Sequence, residues 1–116
     1  MPRKESRLWT RRLEFDAERQ VELVLVEDPT IDVGGDDSWC SWCLWPAAKV
    51  LIRYLASLDD ADLEGRGVLE LGAGCGAVGM YLARRRCSPV VLTDVHKALP
   101  LLKRNVQANG LPCEMC

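Results

Sequence analysis

No apolar run in this sequence approaches the length needed to span a bilayer. The opening residues, MPRKESRLWTRR, have no apolar stretch of the kind that marks a secretory signal. Charge of one sign is also scarce. Fifteen Lys and Arg against 17 Asp and Glu leave a net charge of −2, which creates no field to gather nucleic acid or coat a membrane. There is no internal repeat, no low-complexity segment and a single histidine, His96. These absences argue against nucleic-acid and membrane partners. They lead us to expect a soluble intracellular protein, in the cytoplasm first and the nucleus second.

What is present is an ordinary globular composition: 48% hydrophobic and 28% charged in 116 residues, enough for one small domain. Six cysteines would suit a disulfide scaffold, but without a secretory signal and with Cys75 inside a glycine-rich turn, reduced thiols are the expectation. Cys40 and Cys43, and Cys113 and Cys116, form two C-x-x-C pairs. Most of the chain separates them, unlike the compact spacing of a zinc ribbon, so no metal site is expected.

The organisation reads in three parts. Residues 1–12, with Arg3, Lys4, Arg7, Arg11 and Arg12, read as a flexible basic tail. Residues 13–45 read as a β-hairpin and loop. Its strands flank a turn at Asp16–Glu18, and Val21, Leu23 and Leu25 alternate toward one buried face. The stretch DPTIDVGGDDS then carries the turn formers of a loop.

Residues 46–116 alternate helices with short apolar strands. Pro46 suits a first helical turn, and Val50, Leu51, Tyr54, Leu55 and Leu58 recur at helical spacing as one apolar face. The strand Val68–Leu71 runs into a glycine turn and a helix marked by Val78, Tyr81 and Leu82. That helix closes on the basic run Arg84–Arg86, as suits a helix C-terminus. A second strand ends at Asp94, and a further helix covers Leu99–Ala108, with Asn109-Gly110 as its stop. The predicted fold is α/β, a Rossmann-like parallel sheet with flanking helices, preceded by the hairpin and incomplete: two parallel strands, with the chain ending where a third should begin.

The glycine turn carries the chemistry. Gly74-Cys75-Gly76-Ala77-Val78-Gly79 satisfies G-x-G-x-x-G, and Asp94 lies at the end of the next strand, where a carboxylate can grip ribose hydroxyls. A dinucleotide such as NAD fits that pattern. Glu70 points elsewhere, because Glu70-Leu71-Gly72-Ala73-Gly74-Cys75-Gly76 places an acid at the end of the first strand. A carboxylate there sits poorly beside a pyrophosphate and well beside the sulfonium and ammonium groups of S-adenosylmethionine.

The segments VLELGAGCGAVG, VVLTD and LLKRNVQANG resemble motif I, the following acidic strand end and the next helix of the class I (seven-β-strand) methyltransferases. CLWPAAKVLIRYL, a tryptophan ahead of a small-residue helix, and the preceding hairpin are similar to the methyltransferase-like protein-lysine methyltransferases. The resemblance covers roughly Leu13 to Gly110. It implies S-adenosylmethionine as cofactor and a protein substrate such as a chaperone or translation factor. It also implies Trp45 lining the cofactor site, Gly72, Ala73 and Gly74 wrapping the methionine part with Gly76 in the same loop, and Asp94 on the ribose. Each residue has a plainer alternative: Trp45 as a core aromatic, Asp94 as a cap, Glu70 as an acceptor of backbone hydrogen bonds or a partner of an arginine. His96 is given no catalytic role.

The family's D/E-x-x-Y/F acceptor motif has no counterpart after Asp94, and a full catalytic domain needs roughly twice this length. The expectation is therefore the cofactor half of a methyltransferase, with little activity alone. A non-catalytic interaction module and an NAD-binding half of an oxidoreductase are the alternatives.

Overall fold

A computed structural model describes residues 8–28 and 43–116. Residues 1–7, nearly all of the expected loop after Asp28, and Cys40 lie outside the described residues. In chain order the elements are β1 (Trp9–Asp16), β2 (Val21–Glu27), α1 (Pro46–Ala56), α2 (Asp60–Leu63), β3 (Val68–Glu70), α3 (Ala77–Arg84), β4 (Val90–Leu92), a 3-10 turn (His96–Ala98), α4 (Leu99–Asn109) and β5 (Cys113–Met115). Among them no helix is long and apolar enough to cross a membrane.

The hairpin β1–β2 is antiparallel, with Trp9 opposite Glu27 and Leu13 opposite Leu23. β1 thus begins at Trp9, and four residues of the expected basic tail, Trp9–Arg12, belong to the strand. The reason lies across the ladder. β2 needs a partner along its length for its backbone groups, and Arg11 and Arg12 reach the carboxylates of Glu27 and Glu22. Asp16 closes the strand rather than opening the turn, which occupies residues 17–20.

The β3–β4–β5 sheet is parallel throughout, with Val68 opposite Val90 and Val90 opposite Cys113. It has three strands where two were expected. Gly110, at φ +60°, ends α4 in the left-handed conformation and turns LPCEMC back alongside β4. Alternation along the strands divides the sheet in two. Val90, Leu92 and Cys113 join the core with residues of α3 and α4, whereas Leu69 is 66% exposed and Glu114 is exposed. Among the described residues nothing covers that second face, although a parallel sheet is ordinarily covered on both.

Helix α1 is turned relative to expectation. Ile52 is buried and Ala48, Leu55, Ala56 and Leu58 pack beside it, while Val50, Leu51 and Tyr54 are exposed. The helix carries two apolar stripes, and the one containing Ala48 and Ala56 lies inward, where small residues allow close approach to β1 and α3.

The C-terminal end of α1 is clamped by two guanidinium groups. Arg85, 3% exposed, donates to the carbonyls of Leu55 (2.9 Å) and Leu58 (2.7 Å), to the Tyr81 hydroxyl (2.8 Å) and to Asp60 (3.1 Å). Arg19, in the hairpin turn, donates to the carbonyls of Ala56 (2.9 Å) and Leu58 (3.1 Å) and to Asp16 (2.9 Å). Of the basic run at the end of α3, Arg85 therefore serves the C-terminus of a different helix, where carbonyls lack intrahelical partners. Burial alone would raise the Asp16 carboxyl, but donation from the Tyr81 hydroxyl and from Arg19 holds it below its usual value.

Removing Arg85 takes one donor from each of the Leu55 and Leu58 carbonyls and the Tyr81 hydroxyl, leaving them the Leu58 amide, Arg19 and Asp16 respectively, and it empties a buried site shaped for a guanidinium. Arg85→Met is expected to cost about 3 kcal/mol of folding stability, read by urea denaturation. Asp60→Ala, at a carboxylate whose side chain is 67% exposed, should change the midpoint far less.

Candidate functional site

Between β3 and α3 the backbone turns through three left-handed glycines, Gly72 at φ +66°, Gly74 at +60° and Gly76 at +88°. Only glycine takes this conformation without penalty. The loop is held from below by the end of β4. The Ala73 amide donates to the Thr93 carbonyl at 2.8 Å, and the Gly74 amide to Asp94 Oδ2 at 2.7 Å. Thr93 in turn donates, through both its amide and its hydroxyl, to the Glu70 carbonyl. Asp94 Oδ1 also accepts from the Val95 amide, so this carboxylate ties the glycine loop to the start of the next segment.

Opposite the loop stands Trp45, the residue before α1, at φ −80° and ψ 151°. Pro46 dictates that extended backbone, because the residue before a proline is driven out of the helical region. Trp45, Ala47 and Leu51 form one wall of a cavity of about 250 Å³. Glu70, Gly72, Ala73, Gly74, Cys75 and Val78 form the other, and Cys43 and Leu44 lie at the entrance to α1. The exposure of Leu51 is thereby explained: it faces a cleft rather than the core.

Glu70 supplies the cleft's charge. Its Oε1 accepts from the Gly79 amide at 3.0 Å, across a contact so tight that a Cβ on Gly79 would lie 2.0 Å from Leu92 Cδ2. Burial pushes the Glu70 carboxyl up from 4.5 to about 7; the Gly79 amide opposes the rise, and the nearby charge of Asp94 adds to it. Cys75 is also buried, and its thiol is pushed up to about 12 by that burial, which keeps it neutral.

Five of the seven predicted site residues, Trp45, Glu70, Gly72, Ala73 and Gly74, line this cavity. Asp94 stands behind the loop and holds Gly74. Gly76 is not on the wall. A Cβ there would meet Leu102 Cδ1 at 2.6 Å, so this glycine is explained by packing and by its left-handed backbone ahead of α3. Glu70 combines two of its alternative readings, accepting a backbone hydrogen bond while facing the cleft. His96 is exposed in its 3-10 turn. Cys43 borders the cleft, Cys113 is packed in the core and Cys116 is exposed, all as free thiols. Sequence reasoning missed Ala47, Leu51, Cys75 and Val78 as wall residues. Val78, two positions past the glycine pair at the start of a helix, was the one within reach.

With this geometry established, three comparisons bear on it. A family model described as lysine methyltransferase matches residues 27–115. The protein-lysine N-methyltransferase EFM6 of Saccharomyces cerevisiae is 28% identical over 130 residues, covering 99% of this chain and 50% of the yeast protein. The protein N-lysine methyltransferase METTL21A of Mus musculus is 44% identical over 69 residues, covering 60% of this chain and 31% of its own length. The chain thus spans half or less of the length of these curated relatives. Among solved structures, the 16S rRNA N2 G1207 methyltransferase RsmC of T. thermophilus, in complex with AdoMet and guanosine, superimposes with a TM-score of 0.67 at 27% identity. That match covers 93% of this chain and 26% of the RsmC chain.

The raised Glu70 carboxyl carries a definite pH signature. Folding favours its neutral form, so its contribution to stability is complete below pH 4.5 and is lost as pH rises through about 7. Glu70→Gln keeps an acceptor for the Gly79 amide and cannot ionise. At pH 8 it should raise Tm by about 5 °C over the parent, with the difference vanishing near pH 4. Paired thermal melts across that range measure it.

Proposed function

The chain belongs to the lysine methyltransferase family, and from that premise we propose that it provides the S-adenosylmethionine site of a protein-lysine N-methyltransferase. The observation that carries the reading is the Glu70 carboxylate, raised to about 7 on the wall of a cleft flanked by Trp45, Leu51 and Val78. A cationic ligand relieves the cost of ionising that group; a pyrophosphate adds to it. The openness of the loop supports the same reading. A Cβ on Gly72 would meet nothing within 4 Å, so the loop presents bare backbone to open space.

When bound, S-adenosylmethionine supplies a methyl group activated by the sulfonium for displacement by a neutral amine. The residues here would hold it. Glu70 would balance its positive charge, the Gly72–Gly74 backbone would take its methionine part, and Trp45 with Leu51 would close an apolar side that excludes water. Asp94 would accept from ribose hydroxyls while keeping Gly74 in place. Gly76 acts at one remove, through the start of α3. Transfer of this kind depends chiefly on alignment and water exclusion, with little acid–base machinery.

The acceptor is a protein lysine on this reading, supported by the family match and by the names of the yeast and mouse relatives. The 116-residue chain has no D/E-x-x-Y/F motif after Asp94 and leaves one sheet face open among its described residues, so it should bind cofactor yet turn over little by itself.

Calorimetric titration of S-adenosylmethionine, S-adenosylhomocysteine and NAD into the chain tests the assignment. The adenosyl compounds should bind and NAD should not. Asp94→Ala should weaken the adenosyl compounds at least about tenfold, the equivalent of 1.4 kcal/mol. Preference for NAD, or equal affinity in the Asp94 variant, would overturn it.

A further inference from the structure

Helix α4 carries two asparagines four residues apart, and both turn their carboxamides onto β2. The Asn105 side chain accepts from the Val26 amide at 2.7 Å and donates back to the Val26 carbonyl at 2.9 Å. Asn109 does the same with Val24, at 2.8 Å in each direction. The spacing explains why this works. Four residues of helix rise about 6 Å and two residues of strand about 6.7 Å, so successive amides on one helix face meet alternate peptides of a strand. The pair replaces the neighbouring strand that the edge of β2 lacks.

The two asparagines differ in one respect. Asn105, wholly buried, also donates to the carbonyl of Cys75 in the glycine loop, at 2.9 Å. Asn109 instead reaches its own helix at the Asn105 carbonyl and the sulfur of Met80. The residue after Val26 reaches the other wall. Glu27, 3% exposed, accepts from the Leu44 amide at 3.1 Å, immediately before Trp45, and is paired with Arg11. Two consecutive residues of β2 are therefore tied to the two opposite walls of the cleft.

We propose that the end of β2 sets the spacing of the cofactor cleft, with Asn105 positioning the glycine-loop wall and Glu27 positioning the Trp45 wall. On this view the hairpin is part of the binding apparatus, although neither of its strands lines the cavity. The inference builds on the cofactor reading above, but its geometry can be examined without any ligand.

The experiment compares the 116-residue chain with Asn105→Ala, Glu27→Ala and Asn109→Ala, each below its melting temperature. Asn109→Ala breaks the same ladder one step along without touching a wall. Amide hydrogen exchange read by NMR should show Gly74 and Gly76 losing protection in Asn105→Ala and Leu44 losing it in Glu27→Ala, with these amides unchanged in Asn109→Ala. Titration of S-adenosylhomocysteine should give dissociation constants raised about tenfold in the first two variants and less than twofold in the third. Unchanged exchange at these amides, or weakening that simply follows each variant's loss of Tm, would overturn the proposal. Exchange behaving as expected in a chain that binds no adenosyl compound would uphold the positioning and sink the cofactor reading instead.

Discussion

The bond from the Gly79 amide to Glu70 is the contact on which the site depends. It joins the first turn of α3 to the end of β3 at a separation that no side chain on residue 79 would permit. Because α3 lies so close, it shields the Glu70 carboxyl from water and brings the start of the helix up against the glycine loop. The same closeness places Leu92 and Leu102 against Gly79 and Gly76, so core packing and site electrostatics arise from one helix–sheet contact. A bulkier residue at either glycine would move the helix off the sheet and alter both together.

That arrangement carries a cost that must be offset elsewhere. A carboxyl held near 7 in the free protein opposes folding once it ionises. The far end of the same helix is arranged in the opposite way. There Arg85, Tyr81, Asp16 and Arg19 form a connected set of donors and acceptors around the C-terminus of α1. Among the described residues no buried side-chain nitrogen or oxygen lacks a partner. One end of α3 is thus electrostatically strained and faces a ligand site; the other is fully satisfied and anchors α1. Since Trp45 immediately precedes α1, clamping the helix's C-terminus also limits how far that wall of the cleft can swing.

How much of this could be read from the sequence depends on how far apart the cooperating residues lie. The glycine loop, Glu70 and Trp45 were legible because each depends on neighbours within a few positions: an acid at a strand end, glycines at fixed offsets, a proline after a tryptophan. The hairpin and the order of helices and strands followed from local periodicity in the same way. The inward face of α1 was not legible, because its two apolar stripes are equivalent until β1 and α3 are in place. Gly76 satisfied a motif, yet its requirement comes from Leu102, far along the chain. Arg85 looked like a cap for its own helix and proved to be the cap of another. Asn105 carried no signal, and Asn109 was legible only as part of the helix stop with Gly110, since an asparagine in a helix usually faces water; only the bare edge of β2 gives their side chains a purpose.

The covered and open halves of the sheet play different parts. Every wall of the cleft comes from α1, the segment before it, Glu70 at the end of β3, the loop after it or the first turn of α3, and the loop is braced from below by Thr93 and Asp94. None of these lies on the face that exposes Leu69. The hydrogen bonds that fix the glycine loop run to β4, to Asp94 and to Asn105, all within the described residues. The shape of the cleft is therefore determined on one side of the sheet by contacts already complete. Whatever packs against Leu69 on the other side would find that shape already formed.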